Sequence, residues 1–588
     1  MNEKHHNPIV YTDTAQCRDC YRCVRVCPVK AIKMHDGQAS VDADLCIACG
    51  NCFRQCPQHA KMYQRHLTIA KKLTASNRKV IATVAPSFAA LLEEWQLKRL
   101  PSALRNLGFD LITETSLGAW HVSREIAKMV NDNPDQPLIT SACPAVVRYL
   151  ELYRSDALNY LTPIASPMIV HGRMLKEQYP DHAVIFIGPC VAKKTEIARQ
   201  EYSGIIDAAL TFEELFEWFD AEKIDLRKCE ESDFDQKSPG QSALYPLVGG
   251  SLPAAGISTD MLASDVITAS GIEEIDDAID SVIKNPNPVL IEPLFCRFGC
   301  INGPVANWDE SQGFQRRKQV IDYSREKNDY TPAKIAPELL ACSYINHNIV
   351  IPDFTETQIN EVYAMTGKTS EQSRLNCGAC GYGSCQEQAI AVLRGMAEPE
   401  MCIPYMRRMA EQRTDRIIET SPNGIVILDE HLNIISMNPA FRKMFVCSDA
   451  IFGQSISRLM DPDMFEKVLQ NPNQKAEGII RHDPYNLITH QIVYKIPESK
   501  QTVGIFMNIT NLKSNQQKLD NLRFQTVQKA RELLSHQVAM AHKIVEHLGT
   551  STAQSEELLA NLLKMADDQT PPDDQTDNEK SKKYNPWK

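Results

Sequence analysis

Cysteine spacing constrains this chain more than any other feature of its sequence. Residues 17–28 read C-R-D-C-Y-R-C-V-R-V-C-P and residues 46–57 read C-I-A-C-G-N-C-F-R-Q-C-P, so both segments are C-x2-C-x2-C-x3-C-P. A repeat of this kind, with a proline after each fourth cysteine, is hard to explain by chance. The 588 residues hold 19 cysteines. In a reducing compartment these cannot form a disulfide framework, so we expect most of them to bind metal.

This spacing is the run that bacterial ferredoxins use to hold two 4Fe-4S clusters. Three thiolates two residues apart wrap one face of a cubane, and the fourth points towards the other cluster. We therefore predict one cluster on Cys17, Cys20, Cys23 and Cys56, and a second on Cys46, Cys49, Cys52 and Cys27. Zinc binding and free buried cysteines are alternatives that the repeat argues against. The interpretation is a ferredoxin-like 2x(4Fe-4S) domain over residues 1–70, able to conduct electrons to another site.

Composition places the chain among multidomain soluble proteins. At 588 residues, with 43% hydrophobic and 23% charged residues, several domains are expected. The net charge of -11 argues against a nucleic-acid partner, because phosphate binding requires clustered Lys and Arg. We find no apolar stretch long enough to cross a bilayer and no apolar leader segment at the N-terminus, so we expect no membrane partner and a cytoplasmic location.

Residues 77–365 change to short apolar runs that alternate with longer amphipathic stretches, as in βα units. The predicted strands are Val80–Val84, Pro137–Ile139, Ala183–Ile187 and Val289–Ile291, and the predicted helices cover 88–97, 122–130, 144–153 and 168–177. Three strands lead into cysteine motifs: T-S-A-C-P at 140–144, G-P-C-V-A-K-K-T-E at 188–196 and E-P-L-F-C-R-F-G-C at 292–300. Because open α/β sheets collect ligands at the carboxyl ends of strands, these cysteines are expected to converge. From spacing alone, another 4Fe-4S cluster and scattered core cysteines remain equal alternatives.

The same three segments resemble the three H-cluster motifs of the iron-only (FeFe) hydrogenases, in the same order. V-A-P-S-F at 84–88, L-G-F-D at 107–110 and A-S-P at 165–167 also resemble segments of that family. The resemblance implies that Cys143, Cys190, Cys296 and Cys300 hold a 4Fe-4S cluster. It also implies that Cys300 bridges to a diiron subsite and that Lys193 hydrogen-bonds a cyanide ligand of that subsite.

The chain departs from the family where protons move. Efficient members carry two adjacent cysteines in the first motif, and the first of them passes protons to the diiron site; this chain has Ala142 there. Ile126 and Met129 align with the acidic relay residues of the family, and Thr162 aligns with a serine. Gly188 and Leu294 replace bulky methionines. The resemblance thus implies a retained cluster with a dismantled proton path and slow turnover.

A second cysteine set lies in residues 366–411. Cys377, Cys380, Cys385 and Cys402 follow the spacing C-x2-C-x4-C-x16-C around a glycine-rich loop that opens a helix. The segment resembles a small 4Fe-4S domain found with several redox proteins, and Gly378, Gly381 and Gly383 allow backbone N–H groups to approach a cluster. Zinc is the alternative, because four cysteines also suit zinc. The remaining cysteines, Cys229, Cys342 and Cys447, are interpreted as buried or incidental.

Residues 412–512 resemble a PAS domain, with a leading amphipathic helix, two hairpin strands, a helix capped by Asn438, and further strands at 490–496 and 502–509. His482 and His490 are interpreted as surface residues rather than haem ligands. Within 513–566, apolar residues recur at helical spacing from Leu519 to Leu548, which predicts a dimerisation or signalling helix followed by a second helix. His536 is interpreted as an exposed helix residue rather than a phospho-acceptor. Residues 567–588 are predicted to be disordered.

The sequence thus predicts a multidomain α/β protein: a ferredoxin-like domain, an α/β H-cluster domain, a small Fe-S domain, an α+β PAS domain and C-terminal helices. Three functions remain open. The first is a slow hydrogenase that senses H2 and passes its redox state to the PAS domain and a signalling partner. The second is a catalytic hydrogenase linked to ferredoxin as electron-transfer partner, with a regulatory PAS domain. The third is an Fe-S scaffold without the diiron subsite. A homodimer through the PAS domain and the following helix is expected.

Overall fold

The computed structural model describes residues 8–510, apart from 259–264, 287–288, 306–311, 328–329, 472–474 and 497–499, together with residues 525–540. The chain divides into two compact units, Met1–Ile403 and Pro404–Lys588. No helix among the described residues is long and apolar enough to cross a membrane.

The N-terminal region is built as an internal repeat that is visible in the backbone. Its elements are β1 Val10–Thr12, α1 Arg22–Val26, β2 Ile32–His35, β3 Gln38–Val41, α2 Asn51–Arg54 and β4 Lys61–Tyr63. β1 pairs with β4 and β2 pairs with β3, both antiparallel. Left-handed backbone recurs at matching positions of the two cysteine runs, at Tyr21 (φ 55°) and Gly50 (φ 78°), directly before α1 and α2. Each run therefore turns sharply between its second and third cysteine.

The central region contains two parallel sheets. Its elements are α3 Leu67–Thr74, β5 Val80–Val84, α4 Glu94–Leu97, α5 Leu100–Asn106, β6 Leu111–Glu114, α6 Ser116–Asp132, β7 Leu138–Ile139, α7 Pro144–Tyr153, α8 Pro167–Gln178, β8 Ala183–Gly188, α9 Ala192–Ile197, β9 Ala208–Thr211, α10 Phe212–Ala221, α11 Ser251–Ala255, β10 Val266–Ser270, α12 Ile272–Lys284, β11 Leu290–Leu294, α13 Gly313–Glu326 and α14 Pro337–Leu340. One sheet has the order β6-β5-β8-β9 and the other β10-β11-β7. β5 and β8, buried along their whole length, form the core of the first sheet.

The four predicted strands and three of the four predicted helices are present. The strands lie in both sheets, so the cysteine motifs come together from two sheets. The prediction of one helix over 88–97 was wrong: a 3-10 helix covers Pro86–Ala90, and α4 begins only at Glu94. α6 begins at Ser116 and α8 at Pro167, both before their predicted starts.

A small unit follows the central region and packs on the N-terminal one. It comprises α15 Glu356–Met365 and α16 Cys385–Leu393, which share the buried side chains of Val362, Tyr363 and Ala389. Lys30 donates to the Gly381 carbonyl at 2.7 Å, and the Met34 backbone N–H donates to the Met396 carbonyl at 3.0 Å. Cys377 and its neighbours therefore lie beside the first half of the N-terminal repeat.

The second unit carries one antiparallel sheet of order β13-β12-β16-β15-β14. Its elements are α17 Ile403–Thr420, β12 Gly424–Leu428, β13 Ile434–Met437, α18 Pro439–Met444, α19 Asp463–Gln470, β14 Ala476–His482, β15 Leu487–Ile496 and β16 Gln501–Asn508. The predicted cap is present: the Asn438 side chain accepts from the Phe441 N–H at 2.9 Å and donates to the Ile418 carbonyl at 2.9 Å. These contacts tie α17 and α18 to the sheet.

His482 is buried, contrary to the surface interpretation. Its Nε2 lies 3.1 Å from Thr489 Oγ1 and 2.7 Å from Gln491 Nε2, and its ring meets Phe445 edge-on. Alternation along β14 and β15 turns these polar side chains inward, which their polarity alone does not predict. Residues 525–540 are helical and His536 is exposed. The described residues do not include the rest of the apolar pattern predicted from Leu519 to Leu548. They also do not include the predicted second helix or the tail at 567–588.

A buried ion pair fastens the N-terminal region to the first sheet. Lys194 on α9 and Glu214 on α10 are fully buried, with Lys194 Nζ 2.8 Å from Glu214 Oε2 and 2.6 Å from the Ala209 carbonyl. The other carboxylate oxygen of Glu214 accepts from the His66 and Leu67 N–H groups. These are the residues at which the chain leaves the N-terminal repeat, so the pair fixes that connection.

We predict that Lys194→Met destabilises the protein by about 3–5 kcal/mol, because it leaves a buried carboxylate without its counter-charge. The midpoint of thermal unfolding, followed anaerobically, should fall by on the order of 10 °C. Lys71→Met is the matched control, because the Lys71–Glu222 pair is solvent-exposed, with its charged atoms 3.4 Å apart. Its loss should lower the free energy of unfolding by less than about 1 kcal/mol. Equal midpoints for the two variants would contradict the role of the buried pair.

Candidate functional site: cysteines around a buried cavity

Four cysteines from three loops line one cavity of about 100 Å³. Cys143 follows β7 and precedes α7, with Pro144 at the first helical position. Cys190 lies between β8 and α9, and Cys296 and Cys300 follow β11. The carboxyl ends of strands from both sheets therefore meet at this cavity, as the sequence predicts.

The cavity is an unfavourable place for isolated thiolates. Burial raises the pKa of the Cys190 thiol to about 11 and raises the pKa of Cys296 well above its usual value. Burial also raises the pKa of Cys300, followed by the charges of Cys143 and Cys190. The charge of Lys193 acts to lower the pKa of Cys190 and of Cys300. These shifts favour neutral thiols. The thiolate form would need a cation among the cysteines, which an iron–sulfur cluster would supply.

Two polar groups beside the cysteines fit a polar ligand in the same cavity. Lys193 Nζ donates to Ser166 Oγ at 2.9 Å and to Glu196 Oε2 at 2.7 Å, and it lies 3.5 Å from the Ala142 carbonyl. Ser87 also lines the cavity, and its buried hydroxyl has no hydrogen-bond partner among the described residues. A buried hydroxyl without a partner is costly, so its presence fits an acceptor bound in the cavity.

The departures from the family pattern fall on the walls of the cavity or behind them. Ala142 lines it with a methyl group. Ile126 is buried in the apolar core and Met129 packs against that core, so neither position offers an acid. Thr162 is buried, 3.3 Å from the Ser141 hydroxyl.

The two positions that replace bulky methionines differ from each other. Leu294 lines the cavity. A side chain at Gly188 would meet the Phe186 ring at 2.5 Å, and Phe186 itself lines the cavity. The phenylalanine ring therefore occupies the space that Gly188 leaves.

The N-terminal cysteines lie close together, and their division into two groups of four stays a prediction. Burial raises the pKa of Cys23 and the charge of Lys61 opposes it. The charges of Cys20, Cys17 and Cys56 raise it further. The pKa of Cys49 is raised first by burial, against a hydrogen bond from the Asn51 backbone. The charges of Cys27, Cys52 and Cys46 raise it further. Each fourth cysteine thus joins the other run. The Ala31 and Ala60 N–H groups donate to Cys27 Sγ at 3.2 Å and to Cys56 Sγ at 3.3 Å, a further sign of the repeat.

The second N-terminal group lies next to the central cavity. Cys49 is among the charges that raise the pKa of Cys296, after burial and the three other cavity cysteines. α7, which begins after Cys143, holds the second run directly: Arg148 donates to the Cys46 carbonyl at 2.6 Å and Tyr153 donates to the Leu45 carbonyl at 2.6 Å. One helix thus fixes both cysteine groups.

The cysteines of residues 366–411 form a further group at the other side of that repeat. Burial raises the pKa of Cys380 and a hydrogen bond from the Tyr382 backbone opposes it. Cys402 and Cys377 raise it further, against the charge of Lys368. Cys385 is the first residue of α16, and its N–H donates to the Asn376 side chain at 2.7 Å. The Tyr382 ring packs with Cys27, and both Cys380 and Cys27 raise its pKa after burial. The group therefore adjoins the second N-terminal group.

Among the described residues, no three His, Cys, Asp or Glu side chains are arranged around a single metal ion. The thiolates of a cubane bind separate irons and need not converge on one point. Cys229, Cys342 and Cys447 lie outside the four groups; burial raises the pKa of each.

Sequence reasoning quoted Ser87 only within the segment V-A-P-S-F at 84–88 and did not consider Thr115 and Phe186; all three line the cavity. Ser87 and Thr115 follow β5 and β6 closely, so the carboxyl ends of these strands were the available signal. Phe186 lies inside β8, where an apolar residue is expected in any case.

Comparison with known proteins agrees with this geometry. Residues 78–304 match the family model for the iron only hydrogenase large subunit, C-terminal domain. Residues 9–72 match the 4Fe-4S dicluster domain, residues 374–404 match an Fe-S cluster domain, and residues 412–477 match the PAS domain. The family models thus fall on the regions that contain the cysteine groups and the antiparallel sheet.

The chain is 28% identical over 364 residues to iron hydrogenase 1 of Clostridium pasteurianum, covering 50% of this chain and 63% of that protein. It is also 32% identical over 112 residues to the cytosolic Fe-S cluster assembly factor NAR1 of Vanderwaltozyma polyspora, covering 18% of this chain and 21% of that protein. The chain thus spans less than two thirds of the length of either relative.

A solved FeFe-hydrogenase from Chlamydomonas reinhardtii aligns at 18% identity with a TM-score of 0.40, covering 49% of this chain and 100% of that one. The family models carry the assignment. Over residues 78–304 the chain matches the iron-only hydrogenase large subunit family model, and its other regions match a 4Fe-4S dicluster domain, an Fe-S cluster domain and a PAS domain.

Proposed function

We propose that this protein binds and oxidises H2 at an H-cluster with low turnover, and that it passes the redox state through Fe-S clusters to its PAS domain. The observation that carries the proposal is the single buried cavity lined by Cys143, Cys190, Cys296, Cys300 and Lys193. When bound, an H-cluster supplies the iron chemistry that separates H2 into protons and electrons. The cysteines would anchor it, and Lys193 and Ser87 would donate hydrogen bonds to its polar ligands.

The four cysteine groups are proposed to hold four 4Fe-4S clusters, with a diiron subsite attached through Cys300. The assigned groups are Cys17, Cys20, Cys23 and Cys56; Cys46, Cys49, Cys52 and Cys27; Cys143, Cys190, Cys296 and Cys300; and Cys377, Cys380, Cys385 and Cys402. The second of these groups adjoins both the cavity and the fourth group. Electrons from the cavity would therefore reach the fourth group through the second.

Chain continuity supports a signal from the fourth group to the PAS domain. Cys402 is followed directly by α17, Ile403–Thr420, and the end of α17 accepts a hydrogen bond from Asn438 of the PAS domain. The described part of the chain outside the cavity offers no comparable catalytic centre, so we propose that a signalling partner reads the PAS domain. An electron-transfer partner such as ferredoxin would exchange electrons with the clusters. A homodimer through the PAS domain and the following helix stays a prediction.

A catalytic hydrogenase with a regulatory PAS domain is the first alternative, and Ala142 argues against it because a methyl group cannot transfer protons. A scaffold without the diiron subsite is the second. The match to an Fe-S cluster assembly factor over 112 residues favours it, whereas the unpartnered Ser87 hydroxyl in the cavity favours a bound polar ligand.

Infrared spectroscopy of the matured protein tests the proposed function directly. We expect CO and CN⁻ bands that shift when argon is replaced by H2, because the diiron subsite would carry these ligands and respond to H2. Lys193→Met should shift the CN⁻ bands more than the CO bands, because the lysine is placed to donate to cyanide. A matured protein with four loaded clusters and no such bands would favour the scaffold.

Metal content gives a second prediction. Fully reconstituted protein should contain about 18 iron per chain, from four cubanes and a diiron subsite. Cys402→Ala should lower the count by up to about four, whereas Cys447→Ala, outside the four groups, should leave it unchanged. Stoichiometric zinc in the wild-type protein, measured by inductively coupled plasma mass spectrometry, would exclude an iron–sulfur assignment for one group.

We predict that Ala142→Cys raises H2 oxidation, because it returns an acid–base group to the cavity wall. A positioned group of this kind contributes about 10²–10⁴-fold. The gain should be smaller, on the order of tenfold, because Ile126 and Met129 cannot carry the proton onward. Ala142→Ser is the matched control, since an alcohol is a much weaker acid than a thiol. Rates are compared at equal diiron occupancy, measured from the infrared bands. A wild-type rate equal to that of a fast hydrogenase would contradict the sensory function.

A further inference from the structure

A row of hydrogen-bonded side chains connects the cavity to the surface on the side away from Ala142. Thr115 lines the cavity, and its Oγ1 lies 2.9 Å from Thr83 Oγ1. Thr83 Oγ1 lies 2.8 Å from His171 Nδ1, and His171 Nε2 lies 3.3 Å from Gln236 Oε1. Gln236 Nε2 donates to Gln178 Oε1 at 3.2 Å, in an exposed contact. Every neighbouring pair in this row is within hydrogen-bond distance.

These side chains are buried beside the cavity and become partly exposed towards the surface. Thr83 and His171 are 0% exposed and Thr115 is 4% exposed, whereas Gln236 is partly exposed. The row crosses the first sheet from the end of β6 through β5 to α8. Close packing fixes its centre: a side chain at Gly118 on α6 would come within 2.7 Å of the His171 Cβ. His171 therefore has little freedom to leave the row.

We propose that Thr115, Thr83 and His171 form the proton exit route of this site, ending in water beside Gln236. The inference rests on the proposed function, since it supplies the protons that the route carries. It assigns a role to three residues outside the three cysteine motifs, in a chain whose Ala142, Ile126 and Met129 cannot transfer protons.

The transfer balances without an additional reactant. Oxidation of one H2 yields two protons and two electrons, and the electrons leave through the Fe-S clusters to the electron acceptor. For each proton, Thr115 Oγ1 gains a proton as its own hydroxyl proton moves to Thr83, and Thr83 in turn passes its proton to His171 Nδ1. The proton on His171 Nε2 then moves to water beside Gln236. Each side chain ends neutral, and it must reorient before the next proton.

The buried position of His171 makes this route slow. Burial lowers the pKa of His171 to about 4; Gln236 and Glu114 act against that shift, and His121 on α6 acts with it. Glu114 is already engaged by Ser238, Tyr323 and Lys327. The neutral ring can relay a proton, but its cationic form is rare at neutral pH. A route of this kind suits a site whose reduced state must persist.

The test compares Thr83→Val with Thr83→Ser in the full-length matured protein. Valine keeps the shape and removes the hydroxyl, so H2 oxidation should fall by about tenfold or more, and serine should recover most of the rate. Thr113→Val is the matched control: Thr113 lies beside Thr83 on β6, is equally buried, and donates only to the Ala82 carbonyl at 2.9 Å. Gln236→Leu tests the exit at the surface, without disturbing the core, and should slow turnover as well.

A second readout does not depend on turnover. ¹⁵N NMR of the histidine rings, in the full chain without the diiron subsite, should show a changed His171 Nδ1 signal in Thr83→Val and an unchanged one in Thr113→Val. In a protein that already carries Ala142→Cys, adding Thr83→Val should lower the rate of H2 oxidation less, because the cysteine offers the proton another route. If wild type is active and both Thr83→Val and Gln236→Leu match it, the route is wrong while the proposed function stands. If wild type shows no CO and CN⁻ bands, the proposed function itself fails.

Discussion

Burying sulfur anions without water is the constraint on which the rest of this structure depends. Four cysteines face one cavity, and Lys193 is the cation that acts on Cys190 and Cys300 there. A single ammonium cannot balance several buried thiolates, because the desolvation of each ion costs several kcal/mol. Thiolates at these four positions would therefore require a cationic metal cluster, which the loops after β7, β8 and β11 surround.

The contacts between regions occur at the cysteine groups themselves. α7 begins beside Cys143 and also binds the backbone at Cys46. Gly50 packs so closely on Pro304 that a side chain there would approach within 2.5 Å. Lys30, which follows the first cysteine run, donates to the Gly381 carbonyl and holds that loop. Each contact holds neighbouring cysteine groups beside each other.

The cysteine groups could be predicted from the sequence because ligand spacing in a short run is a local property. The strands β5, β7, β8 and β11 were also predictable, since buried parallel strands are continuous apolar runs. Their division between two sheets was not, because pairing depends on contacts distant in sequence. The same reason explains the misjudged 88–97 helix, His482 and the Thr115–Thr83–His171 row: a threonine or histidine shows its role only when strand register and helix packing place its neighbours.

Under the proposed function, a change in the redox state of a cluster on Cys402 reaches the second unit along the chain. Because α17 begins at the next residue, a cluster on Cys402 would lie at the positive end of a helix dipole. Reduction adds negative charge, which a helix N-terminus stabilises by about 0.3–1 kcal/mol, or up to about 2 kcal/mol when partly buried. Under the proposed function, an event in the PAS domain that altered the first turn of α17 would, by linkage, change the ease of reduction by the same amount. A coupling of about 1–2 kcal/mol shifts a two-state equilibrium about 5–30-fold, enough for a partner to read. Such a signal requires the reduced state to outlast the partner's encounter, and slow proton release through a neutral histidine would favour that.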